Sequence, residues 1–287
     1  MNDNMLLDNL FKGRSLVIAT KHEKEKIIGP IFEKELGVTF FTPENLNTDL
    51  LGTFTGEVER TFDPITIARQ KCEMAIQLTN ADLAIASEGS FGPHPSIFFV
   101  NADEEILLFV DKKNKLEIIV KELSTSTNFN ASSIKNLREL KIFADKVGFP
   151  SHALILRPSK EHLNFIFKGI RSWVKLIEAY NYLINHYDTV YVETDMRSMY
   201  NPTRRGVIQI ATNKLVDKIK TTCPTCNTPG FGITGVKEGL PCSICKAPTR
   251  SVLSHIYTCQ KCNHEHCKDY PYDKIEEDPM YCDQCNP

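Results

Sequence analysis

The chain has 287 residues, with 34 Lys and Arg against 36 Asp and Glu, a formal charge of −2 and 41% hydrophobic residues. These values describe a globular protein large enough for one sizeable domain and a small one, and they exclude a polycation that grips nucleic acid by charge alone. No apolar run approaches the ~18 residues of a membrane span, and the acid-bearing start M-N-D-N-M-L-L-D lacks the bases of a secretory signal, so the expectation is a cytoplasmic protein with no membrane partner.

Leu16 to Thr20 is a short apolar run that predicts a buried first strand. Lys21, His22 and Lys24 follow, and then an amphipathic stretch from Glu25 to Leu36 that Gly29-Pro30 is expected to kink. A strand, a turn and a helix with cations in the turn can hold a phosphate, so Thr20, Lys21 and Lys24 are candidate phosphate ligands. Solvated lysines at a helix start are the plain alternative. Val38 to Phe41 predicts a second strand. Asp49 to Arg60 is polar and glycine-punctuated, either a hairpin or a substrate loop, and offers Glu57, Glu59 and Arg60. Asp63 as N-cap and Pro64 in the first helical position predict a helix whose inward face carries Ala68, Cys72 and Ala75, with Cys72 as core filler.

Leu83 to Ala86 predicts another buried strand, and Glu88 is expected just beyond its carboxyl end, where open α/β sheets bind ligands. Gly89, Gly92, Pro93 and Pro95 predict a sharp loop that holds Ser90 and His94 near Glu88. An ordinary turn with an exposed acid is the competing reading. Strands are predicted over 97–100, 105–110 and 116–120, with antiparallel pairing. After a Ser, Thr and Asn-rich connector, a helix is predicted over 134–147, a strand over 152–156, a helix over 170–187 and a strand over 189–192. That last strand runs into Glu193 and Asp195, candidate ligands for Mg²⁺. Asn201 and Pro202 then cap a helix with Arg204 and Arg205 in its first turn, where cations oppose the macrodipole. Either the two acids pair with these arginines, or a phosphate-bearing ligand docks there.

The composition changes after residue 220. Nine of the ten cysteines lie beyond it, eight of them in C-x-x-C pairs: Cys223/Cys226, Cys242/Cys245, Cys259/Cys262 and Cys282/Cys285. Fifteen residues separate the first two pairs and 19 the last two, a spacing for two closed Cys₄ zinc sites in a reducing compartment. Sequential pairing is the expectation and interleaved pairing the alternative. Asn227, Asn263 and Asn286 follow second cysteines and tolerate the positive φ a knuckle needs. His264, His266 and Cys267 are spare ligands. The expected organisation is an α/β domain over 1–220, with a mixed central sheet and flanking helices, and a double zinc-ribbon domain over 221–287 held by two structural zinc ions.

Two resemblances follow from these strings. G-T-F-T-G-E-V-E-R at 52–60, S-E-G-S-F-G-P-H-P at 87–95, E-T-D-M-R at 193–197, N-P-T-R at 201–204 and the paired C-x-x-C tail together resemble an uncharacterised bacterial family, a domain of unknown function. Residues 16 to about 125 also resemble the inosine triphosphate pyrophosphatase and Maf group, through L-V-I-A-T-K, Thr61-Phe62 with A-R-Q-K-C at 68–72, and L-A-I-A-S-E-G from Leu83. That resemblance implies Mg²⁺-dependent cleavage of a nucleotide between its α- and β-phosphates, with Lys21 and Lys71 on phosphate and Glu88 as metal ligand or base; Mn²⁺ is the alternative ion. The helix glutamate of that group has no counterpart, Thr66 standing nearest, and its double acid is here Ser87-Glu88; Glu57 or Glu193 can fill the vacancy.

Two functions are therefore expected. One is a metal-dependent hydrolase of a nucleotide or other phosphate anhydride or ester, with Glu88, Glu57 and Lys21 catalytic and Thr20, Lys24, Arg60, Lys71, Ser90, His94, Arg204 and Arg205 on phosphate. The other is a non-catalytic protein whose zinc ribbons bind nucleic acid or whose α/β domain binds a nucleotide.

Overall fold

The structure, a computed structural model, describes residues 3–46, 62–163 and 165–287. It divides into two compact units, Leu7–Val216 and Asp217–Pro287, the latter joined by the described residues before Leu7. Among the described residues no helix is long and apolar enough to cross a membrane.

The first sheet of the larger unit has the order β2-β1-β3-β4-β5, built from Thr39–Phe41, Ser15–Ala19, Leu83–Pro93, Asn101–Asp111 and Leu116–Ser124. The first three strands are parallel, and β3, β4 and β5 form an antiparallel meander, so the sheet is mixed as expected. Alternate residues of a strand face opposite sides. Val17, Ala19, Ala84, Ala86 and Leu108 therefore share one face and pack on Ala68, Cys72 and Ala75 of α3 (Pro64–Thr79). On the other face Phe109 meets Phe11 of α1 (Asp3–Phe11) and Phe32 of α2 (Glu25–Leu36), each with ring centroids 5.9 Å apart. Pro30 lies inside α2, which continues to Leu36. Gly29 is required because a Cβ there would come within 2.3 Å of the Phe40 ring. The Asp63 side chain accepts hydrogen bonds from Ile65 N and Thr66 N, as the cap reading requires.

The strands after β5 do not extend this sheet. They form a second, antiparallel one of order β6-β9-β7-β8, from Ala131–Ile134, Val190–Thr194, Leu154–Arg157 and Phe167–Ile170. One face packs on α4 (Leu137–Lys146) and α5 (Trp173–Ile184) through Leu154, Leu156, Val190, Val192, Leu140 and Leu176. The other face carries Arg157, Tyr191 and Glu193. The last helix, α6 (Pro202–Lys220), begins under an Asn201 cap whose Oδ1 accepts from Arg204 N.

Two expectations about β3 are corrected. The strand does not stop before Glu88 but runs to Pro93, in one-to-one register with β4 from Leu83↔Asp111 to Pro93↔Asn101. A strand paired on its full length satisfies its backbone whatever its side chains, so the polar, glycine-rich stretch 87–92 stays extended. The turn falls later, and the predicted strand over 97–100 is part of it.

In the smaller unit β10 (Gly232–Glu238), β11 (Val252–Thr258) and β12 (Glu265–Asp269) form an antiparallel sheet.

Candidate functional site

Strand order in the first sheet reverses at β1. The chain leaves β1 through α2 to β2 on one side, then returns through α3 to β3 on the other. The crevice beyond the carboxyl ends of β1 and β3 is thus a topological switch point. Thr20, Lys21 and Lys24 enter it from β1, and Ser87 and Glu88 lie on the continuing β3.

Alternation along β3 sends these last two residues to opposite faces. Glu88 points to the α3 side and pairs with Lys71, at relative side-chain exposures of 3% and 13%. Ser87 points the other way, its Oγ accepting from Lys24 Nζ at 2.8 Å. On that second face stands a row of acids that the sequence reading missed. Glu105 of β4 lies between Gly89 and Glu122, and Asp103 between Phe91 and Ser124. Asp103 and Glu105 are fully buried. Arg204 Nε donates to Glu105 Oε1 at 2.6 Å, Lys24 Nζ approaches Glu105 Oε2 at 3.7 Å, and Lys214 pairs with Glu122. The Arg204 guanidinium also stacks 4.9 Å from the Phe91 ring centre and donates to Met196 O. Gly89 makes this possible, because a Cβ there would sit 2.3 Å from Arg204 Nη2 and 2.7 Å from Glu105 Oε1.

Three cations thus face three acids, but among the described residues Asp103 has no partner of its own: both its carboxylate oxygens are buried without a hydrogen bond. Burial and then the Glu105 charge push its pKa up to about 7, against the pull of Arg204 and Lys24. Burial likewise lowers Lys24 to about 8, opposed by Glu105. A buried acid and a buried amine that both titrate close to neutrality can exchange protons with a bound molecule at low cost. The signal in the sequence was parity. Asp103 and Glu105 share odd numbering with Leu107 and Phe109, hence the inward face.

The other predicted residues fall as follows. Thr20 Oγ1 accepts from His22 N at 3.4 Å, and Lys21 is exposed. Arg205 is half-buried and, with Arg171, helps lower the pKa of Glu23, after the larger effect of Lys26. Ser90 is a strand residue opposite Glu104. His94 does not approach Glu88; it sits in the hairpin turn, its Nδ1 accepting from Ser96 N and Ile97 N at 3.1 Å. Glu57 and Arg60 lie outside the described residues. Glu193 and Asp195 do not pair with Arg204 or Arg205. Glu193 binds Arg157 at 2.9 Å and Asp195 binds Arg197 at 2.6 Å, because these arginines stand on the same sheet or two residues away. Gly169 N donates to Asp195 as well. Glu88 on the first sheet, Glu193 on the second and Asp195 just beyond it are therefore each held by a cation of their own. Among the described residues, the clusters whose donor atoms all lie within 4.8 Å of one another are two cysteine quartets.

Those quartets are Cys223, Cys226, Cys259 and Cys262, and Cys242, Cys245, Cys282 and Cys285. The pairing is interleaved, and the sequential expectation is corrected. The reason is β10, whose seven residues at ~3.3 Å each carry the chain roughly 23 Å away from its first knuckle. β11 returns antiparallel, with Thr258 opposite Gly232, and so delivers Cys259 back beside Cys223. The sulfurs of Cys223 and Cys262 are 3.7 Å apart, those of Cys226 and Cys259 3.6 Å, Cys242 and Cys285 3.9 Å, and Cys245 and Cys282 3.5 Å. A tetrahedral ion with ~2.3 Å bonds to sulfur needs edges of about 3.8 Å, so both quartets fit a metal ion with four thiolates and no open position. Positive φ occurs at Asn227, Lys246 and Asn263, the residue after the second cysteine in three of the four knuckles. His264, His266 and Cys267 stand outside both quartets.

Residues 71–287 match the family described as Domain of unknown function (DUF6671). The chain belongs to the DUF6671 family. That match takes in Asp103, Glu105 and Glu122, α6 with Arg204 and both quartets, while Lys24, the remaining partner of Glu105, lies before it. No curated protein matches the chain, and the likeness to the nucleotide pyrophosphatases gains no support from these comparisons.

Proposed function

We propose that the α/β unit of this DUF6671 protein is a hydrolase of a phosphate ester or anhydride, a nucleotide being the leading substrate, and that Asp103 is its acid–base group. The observation that carries the reading is Asp103 itself, buried, without a hydrogen-bond partner among the described residues, poised at about pH 7 and set beside Glu105, Arg204 and Lys24. Lys21 and Arg205, at the ends of β1 and the start of α6, supply positive charge for phosphate. Lys24, which donates to Ser87 Oγ, can donate a proton to the bound group and take it back from water. Glu88 holds Lys71 rather than acting on water. Mg²⁺ or Mn²⁺ would arrive with the substrate, held by phosphate oxygens and its own waters, and would screen the phosphate charge. In the smaller unit the quartets hold two structural zinc ions, which suits a reducing, cytoplasmic location.

The test is phosphate and pyrophosphate release from a panel of ordinary and damaged nucleoside triphosphates and simple phosphate esters, with Mg²⁺ or Mn²⁺. Release that Asp103→Asn lowers at least 100-fold, with Trp173 fluorescence unchanged, supports the assignment. No release on any substrate by folded, zinc-loaded protein overturns it.

A further inference from the structure

The exposed sheet of the smaller unit carries a separated charge pattern that the hydrolase reading does not use. In β12 the sequence E-H-C-K-D alternates, so Glu265, Cys267 and Asp269 face one side and His266 and Lys268 the other. The register extends that second side across the sheet in two rungs. Ile233, Tyr257 and His266 form one, and Val236, His255 and Lys268 the next. Neither rung contains an acid. The rungs stand about 7 Å apart along the strand, the reach of one nucleotide in an extended chain.

The rings on this face are held in place. Tyr257 lies 5.9 Å from Phe231 and packs with it on Cys223 and Cys259 of the first quartet. His266 sits 6.1 Å from Tyr257 across the strand pair. His255 meets the Tyr272 ring at 5.3 Å and lies 3.3 Å from its hydroxyl. Ile233 and Val236 are 45% and 51% exposed, and His266 and Lys268 are exposed as well. Lys268 has no ion-pair partner among the described residues. The face is thus a fixed aromatic surface with a free cation beside it and the acids turned away.

A partner for such a face has flat apolar rings joined by negative charges. We propose that the Tyr257, His266 and Lys268 face of β11 and β12 binds a single strand of nucleic acid, bases stacking on Tyr257 and His266 and a phosphate meeting Lys268. Rings already ordered by packing lose little freedom on binding. Duplex is disfavoured, because its bases are stacked within the helix and cannot lie on the rings. This inference is independent of the hydrolase reading.

The experiment is fluorescence anisotropy of labelled mixed-sequence 12-mers, single-stranded RNA, single-stranded DNA and duplex, titrated with the full zinc-loaded chain at several salt concentrations. Wild type should bind a single strand in preference to duplex. His266→Ala should weaken binding about 5- to 150-fold, the range of one lost base stack. Lys268→Gln should reduce the slope of log affinity against log salt by about 0.7. Glu265→Gln, on the opposite face, should bind as wild type does. No binding, equal or tighter binding of duplex, or variants at His266 and Lys268 that bind like wild type would each overturn the proposal. So would self-association through the same face, seen as a dimer in light scattering that His266→Ala abolishes.

Discussion

Replacing Asp103 with Asn removes a charge whose cost the structure specifies. In the unfolded chain this carboxyl loses its proton near its ordinary 3.8, whereas in the folded protein it holds the proton to about pH 7. Between these values the folded state binds more protons, so the group's contribution is intact below pH 3.8 and is lost as pH rises to about 7. The loss is about 1.4 kcal/mol per pH unit and at most ~4 kcal/mol over the interval. Asn cannot ionise, so the stability of Asp103→Asn minus that of wild type should rise with this slope from pH 4 and level off above pH 7. Near pH 4 the two proteins should agree within about 1 kcal/mol, since a protonated Asp and an Asn are similar in shape and both lack partners. The assay is urea unfolding followed by the fluorescence of Trp173, the single tryptophan. It packs 4.8 Å from Phe149 in the larger unit and therefore reports that unit even where acid strips metal from cysteines. A difference that does not change with pH would refute the reasoning. So would a variant less stable than wild type at pH 8, since that would mean an ionised Asp103 held by Arg204 and Lys24.

The interleaved quartets make a sharp stoichiometric prediction: Cys223→Ser with Cys262→Ser should remove one bound metal ion of two, and Cys223→Ser with Cys242→Ser both, as measured by elemental analysis. Sequential pairing would give the opposite pattern. Lys71→Met leaves Glu88 buried without this cation and should cost about 3–5 kcal/mol in urea unfolding, while Lys71→Met with Glu88→Leu should recover most of it; a single variant as stable as wild type would show that the pair is solvated. Gly89→Ala, which drives a methyl group into Arg204 and Glu105, should cost about 1–3 kcal/mol, and an unchanged denaturation midpoint would mean that Arg204 moves aside freely.

Much of the framework was legible because it rests on local rules. The runs Leu16–Ala19 and Leu83–Ala86 are buried strands, and Asp63-Pro64 and Asn201-Pro202 begin helices, since caps and proline act on the residues beside them. The cysteine pairs signalled metal sites, but which pair joins which depended on the length and direction of β10 and β11, a property of the folded hairpin. Glu88 was misplaced for a related reason. Its neighbours read as a turn in isolation, and only pairing with β4 holds them extended.

The acids at Asp103 and Glu105 were hidden by the same logic, and their concealment bears on what they do. A strand that needed only to pack would continue the Leu107 and Phe109 pattern with apolar residues at 105 and 103, and replacing buried ion pairs with well-packed apolar groups is often neutral or stabilising. Glu105 has Arg204 and Lys24 to offset its burial, so a structural role can explain it. Asp103 has no such partner and raises the cost for Glu105 as well. A residue that destabilises its own surroundings at neutral pH is the kind of position at which folds give up stability for chemistry. That contrast is the ground on which we propose the acid–base role for Asp103 rather than for the better-satisfied Glu88.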